Sequence, residues 1–62
     1  PTQKMDVAEA LEILGLKPGA SRDEIETAYK ALMLKNHPDQ GGTDWLASRL
    51  NQARDTLLVN IG

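Results

Sequence analysis

The fold is decided by residues 21–50, SRDEIETAYKALMLKNHPDQGGTDWLASRL, in which two stretches of helical periodicity flank a loop that neither helix can cross. Ser21 and Glu24 form the S-x-x-E capping box that opens the first stretch, because each side chain can satisfy a backbone N–H left orphaned at a helix start. Ile25, Ala28, Tyr29, Leu32 and Asn36 recur at helical spacing and share one arc. Thr27, Lys30, Ala31 and Leu34 share the opposite arc. Leu34 on that outer arc reads either as a stray surface leucine or as part of a surface that meets a partner. Pro38 lacks an N–H and disfavours helical geometry at His37, so the helix must end near Asn36. His37-Pro38-Asp39-Gln40-Gly41-Gly42 follows, and its glycine pair lets the chain reverse where a side chain would clash.

Working outward, Thr43 is a good N-cap and Asp44 suits a first helical turn. Leu46, Leu50, Ala53 and Leu57 line one face of the helix that follows and read as core; Asp44, Ser48, Gln52 and Asp55 line the other. Upstream, Asp6 and Glu9 suit a capping box, and Val7, Leu11 and Leu14 fall on one face. Gly15 can take the left-handed position that ends a helix, with Leu16 folding back as its apolar contact. Lys17-Pro18-Gly19 reads as a turn. These signals predict an all-α fold: an antiparallel helical hairpin over about 21–36 and 43–58, closed by a short helix over about 6–14, with no fourth helix. Residues 6–59 form the domain, with 1–5 and 60–62 as tails.

Composition narrows the function. The chain has 62 residues, and one this short hides only roughly 60% of the surface its unfolded form exposes. Such a scaffold has little room for a catalytic cavity, so binding is favoured over catalysis and no catalytic residue is assigned. There is no cysteine and one histidine. Disulfides and thiolate zinc sites are therefore excluded, no metal site or cofactor is expected, and a reducing compartment is favoured. No apolar run approaches the ~20 residues of a membrane helix, so no membrane contact is expected from this segment. The net charge of −2 argues against nucleic acid. Residues 1–26 carry three basic and six acidic side chains, a net of −3, whereas residues 27–62 carry four and three, a net of +1. An anionic partner surface should meet the second half.

The loop carries the chemistry. Pro38 restricts both itself and His37, so two polar side chains are offered in few conformations. A stiff loop loses less entropy on docking. Asp39 presents a carboxylate that an arginine of a partner could grip bidentately, and His37 can donate or accept. Lys30 and Lys35 place positive charge on the two preceding turns.

Helix, then Glu24-Ile25, Ala28-Tyr29-Lys30 and Leu32, then His37-Pro38-Asp39, then Asn51-Gln52-Ala53-Arg54-Asp55-Thr56-Leu57: this arrangement resembles the J domain of DnaJ-type co-chaperones over about residues 6–58. The tripeptide alone is weak; between those two helices it is specific. Ala10-Leu11-Glu12-Ile13-Leu14-Gly15-Leu16, Gly41-Gly42 after the loop and Trp45-Leu46-Ala47 are most similar to the short form in the J protein of the mitochondrial presequence-translocase motor and its bacterial membrane-tethered relatives. That form usually carries one N-terminal membrane helix, which fits a chain lacking its anchor, on the matrix side of mitochondria or the cytoplasmic side of a bacterial inner membrane.

The resemblance implies that the domain docks on the nucleotide-binding domain of an ATP-bound, DnaK-type 70-kDa heat-shock chaperone, beside its interdomain linker. The His-Pro-Asp loop then shifts that partner toward hydrolysis. Asp39 would engage a partner arginine, and Tyr29, Lys30, Leu34 and Lys35 with His37 and Pro38 would complete the contact. Family members often have basic residues where this chain has Glu26, Thr27 and Ala31, and Gln40 replaces a common Lys or Arg, so weaker or more selective docking is expected.

Plainer readings stand beside these. His37 could be a histidine at a helix C-terminus, favourable at the dipole's negative end. Asp39 could cap the loop. Tyr29 reads as half core, and Trp45 as packing over the loop and first turn. A metal site from His37, Asp39 and Asp44 would bind weakly. A three-helix DNA-binding module shares the helix count, but helix three offers only Arg49 and Arg54 for phosphates or bases. A degenerate J-like scaffold would usually lack the intact His-Pro-Asp.

Overall fold

The computed structural model describes residues 5–37, 39 and 41–61. Among them are three helices and no strand: α1 (Val7–Leu14), α2 (Arg22–Lys35) and α3 (Asp44–Ile61). The all-α architecture is as the spacing predicts.

Each helix begins where a side chain can satisfy its first amides. The Glu9 N–H donates to Asp6 Oδ1 at 2.7 Å. The Ser21 box is reciprocal, with Glu24 N–H donating to Ser21 Oγ at 3.2 Å and Ser21 N–H to Glu24 Oε1 at 2.9 Å. The Leu46 N–H donates to Thr43 Oγ1 at 3.1 Å. The box expected at Asp6 is only half made, because the Glu9 carboxylate pairs with Arg49 of α3 instead. α1 stops at Gly15, whose φ of 70° is left-handed. There the Gly15 N–H reaches Glu12 C=O and the Leu16 N–H reaches Leu11 C=O, the two bonds of a Schellman motif.

α3 is the element against which both others pack. Side-chain pairs between α2 and α3 step outward from the loop as an antiparallel pair requires: Asn36 with Thr43, Tyr29 with Asn51, Glu26 with Arg54. The core is Met5, Ala10, Leu11, Leu14, Ile25, Leu50, Ala53 and Leu57, with Leu16, Ala28, Tyr29 and Leu32 packed on it. Met5 lies in what the periodicity reads as tail. It is the residue before the N-cap, and with Ala10 it occupies the two places of a hydrophobic staple, which draws it into the core.

Three expectations need correction. α3 continues to Ile61 rather than ending near 58, because nothing before Gly62 breaks a helix, although Val59 is largely in solvent. Leu46 is not core; it sits in the first turn of α3, at its loop end, and remains exposed. Trp45 does not pack over the loop and is 71% exposed. It lies about 100° around the helix from the Leu46–Leu50 stripe. Its neighbour one turn on is Arg49, whose guanidinium lies 5.9 Å from the ring centre.

Candidate partner-docking site

The loop between α2 and α3 is anchored from its base. Asn36 caps α2, its N–H donating to Leu32 C=O at 2.9 Å, and its side chain is buried. That side chain reaches seven residues ahead. Its Oδ1 accepts the Thr43 N–H and its Nδ2 donates to the Thr43 C=O, both at 2.9 Å. One amide thus pairs with both backbone polar groups of the N-cap of α3. Inside this base the Gly42 N–H donates to the His37 C=O at 3.1 Å. Gly42 itself has no room for a side chain, since a Cβ there would fall inside the Asn36 carbonyl.

Above the base stand His37 and Asp39, their side chains 59% and 86% exposed. The Asp39 N–H donates to His37 Nδ1 at 3.2 Å. An acceptor at Nδ1 puts the proton of the neutral ring on Nε2. The Asp39 carboxylate stands 3.6 Å from Nδ1, outside a hydrogen bond. The pair therefore offers one N–H donor and one carboxylate to whatever meets the loop.

α2 extends this surface. Lys30, Ala31, Leu34 and Lys35 are all exposed, and Leu34 is 73% accessible. Among the described residues no carboxylate lies within ion-pair distance of Lys30 or Lys35. The basic residues of α3 behave differently. Arg49 is paired with Glu9, and Arg54 lies 3.5 Å from Glu26 and 5.0 Å above the Tyr29 ring. Both arginines thus tie helices together, which leaves α3 poorly equipped to grip nucleic acid. Among the described residues no three His, Asp or Glu side chains gather as a metal ion would require, and no helix is long and apolar enough to cross a membrane.

The family model of the DnaJ domain matches residues 9–58 of this sequence. The chain belongs to the DnaJ domain family. Within this J domain, similarity is high to proteins named mitochondrial import inner membrane translocase subunit TIM14. The Dictyostelium discoideum protein is 52% identical over 54 residues, 87% of this chain and 48% of its own length. That of Caenorhabditis briggsae is 46% identical over 55 residues, covering 89% and 50%. TIM14-2 of Arabidopsis thaliana is 39% identical over 54 residues, covering 87% and 48%. The J domain described here spans about half the length of these relatives.

Of the residues read from sequence as contact positions, the fold brings His37 and Asp39 together at the loop and sets Lys30, Leu34 and Lys35 on the adjoining exposed face of α2. Pro38 lies outside the described residues. Tyr29 turns the other way. Its hydroxyl donates to Asn51 Oδ1 at 2.5 Å and its ring lies under Arg54, so much of its surface is occupied within the domain. The spacing marks Thr43 as an N-cap and the glycine pair as a place where a side chain would clash, but it does not show that the Asn36 amide holds the Thr43 backbone. A polar residue at the last place of an apolar arc, just ahead of the loop, was the available signal.

Proposed function

We propose that this J domain is a co-chaperone that stimulates ATP hydrolysis by a DnaK-type 70-kDa heat-shock chaperone, in the setting of protein translocation that the names of its relatives suggest. The observation that carries this reading is the pairing of an exposed His37–Asp39 tip with a buried, doubly bonded base. Stiffness at the base and exposure at the tip suit docking on another protein. Asp39 would receive a partner arginine, His37 would offer Nε2–H, and Lys30, Leu34 and Lys35 would lie against the partner's nucleotide-binding domain beside its linker. Hydrolysis would be the partner's chemistry. This chain would act by binding one of two partner states better than the other, which is all that a shift of population requires. It would not itself be an enzyme.

The test is single-turnover ATP hydrolysis by a DnaK-type chaperone with the wild-type domain and with Asp39→Asn. Acceleration by the first and almost none by the second, at equal helicity, is expected. Equal acceleration by both would defeat the proposal. The concentration must be high, because a tether normally supplies it.

A further inference from the structure

We propose that Asn36 is a positioning residue for this activation: its amide, joined to both polar groups of the Thr43 backbone, fixes the width of the loop's base and hence the angle at which His37 and Asp39 are offered. This rests on the co-chaperone reading and deepens it.

Asn36 is the one polar residue among the described residues that is buried, at 8% exposure. A buried amide must be hydrogen-bonded, and here the partner at both ends is a single residue of the next helix. Any other spacing between Asn36 and Thr43 leaves a buried donor or acceptor unmatched, so the pairing selects one loop width. A simple helix cap would look different. An asparagine that ends a helix often takes the left-handed conformation, whereas Asn36 has φ −90° and ψ 11° and turns its side chain away from its own helix. The seat at Gly42 is the steric counterpart: the backbone can lie against the Asn36 carbonyl only because no Cβ intervenes. His37 follows Asn36 directly, and its own carbonyl is held by Gly42. A change at the base is therefore passed straight to the tip, while Lys30 and Leu34, further down α2, are untouched.

The effect should thus fall on activation more than on docking. The same single-turnover assay, titrated with wild type, Asn36→Ala and Asn36→Asp beside Asp39→Asn, reads both. With Asn36→Ala the maximal stimulated rate should fall about tenfold while the half-saturating concentration moves less than about threefold. A residue that merely stabilises the fold would do the reverse, because a smaller folded fraction raises the concentration needed and leaves the plateau intact. That result, or a wild-type plateau, overturns the inference. Asn36→Asp keeps the acceptor for the Thr43 N–H, loses the donor to the Thr43 C=O and preserves volume. It should give an intermediate plateau, and it decides the matter if the alanine variant unfolds. Failure of the underlying reading looks different: the wild-type domain would then accelerate hydrolysis no more than Asp39→Asn does.

Discussion

The α1–α2 turn and the α2–α3 loop both depend on glycine, and they depend on it for opposite reasons. Gly15 has a left-handed φ of 70° with open space where a side chain would go. Gly42 has no positive φ, and its missing side chain leaves space that the Asn36 carbonyl already fills. The first glycine relieves backbone strain and stops a helix. The second permits a close approach between two helix ends. One connection is built from local hydrogen bonds that any sequence with the right caps can make. The other needs a side chain from one helix to hold the backbone of the next.

Alanine at each place separates the two kinds of need. Gly42→Ala should cost about 3 kcal/mol, at the upper end of what overpacking costs, because the atom that must move is backbone. Urea unfolding would show the loss as a lower midpoint with an unchanged slope. If Gly42→Ala cost no more than Gly15→Ala, the close approach would not be a feature of the folded chain. Gly15→Ala should cost about 1 kcal/mol, the strain of a left-handed residue with a Cβ. Its maximal stimulation of a DnaK-type chaperone should match wild type, since neither the Asn36–Thr43 bonds nor the seat at Gly42 involves Gly15. A loss of plateau in Gly15→Ala would couple the two connections and undo the contrast.

The contrast also explains what was legible beforehand. Caps act over three residues and periodicity over one helix, so Ser21–Glu24, Gly15 and the Ile25–Leu32 stripe could be read directly. The exposed tip was legible because Pro38 between His37 and Asp39 marks a stiff, polar loop. What could not be read are contacts that depend on how helices meet. The apolar arc of α2 includes Asn36, but a pattern does not say that an amide there meets Thr43. Glu9 fitted a capping box by spacing and yet reaches Arg49, forty positions away. Trp45 reads as packing over the loop and first turn, and only the folded structure shows that it is left largely exposed. Met5 looked like tail because one apolar residue ahead of a cap makes no periodic pattern. Tyr29 was read as half core and half contact, and its hydroxyl is taken by Asn51 while part of the residue stays accessible.

The Glu9–Arg49 pair bounds the comparison from below. It ties α1 to α3 outside both connections, and its side chains are 45% and 30% exposed. Water therefore screens most of the attraction, and exposed pairs of this kind contribute about 0.2–1 kcal/mol. Glu9→Gln keeps the stem and a carbonyl oxygen for the guanidinium, so the loss should be about 0.5 kcal/mol or less, below that of Gly15→Ala. Arg49 retains the Trp45 ring as a neighbour, which limits the loss further. Thermal unfolding in low salt and in about 1 M salt, where charges are screened beyond about 3 Å, provides the check. The gap between wild type and variant should close in high salt. A gap that persists there, or one larger than that of Gly15→Ala, would mean that Glu9 acts as a structural anchor comparable to Asn36. Long-range side-chain ties would then hold α1 as well as α2 to the loop-proximal half of α3.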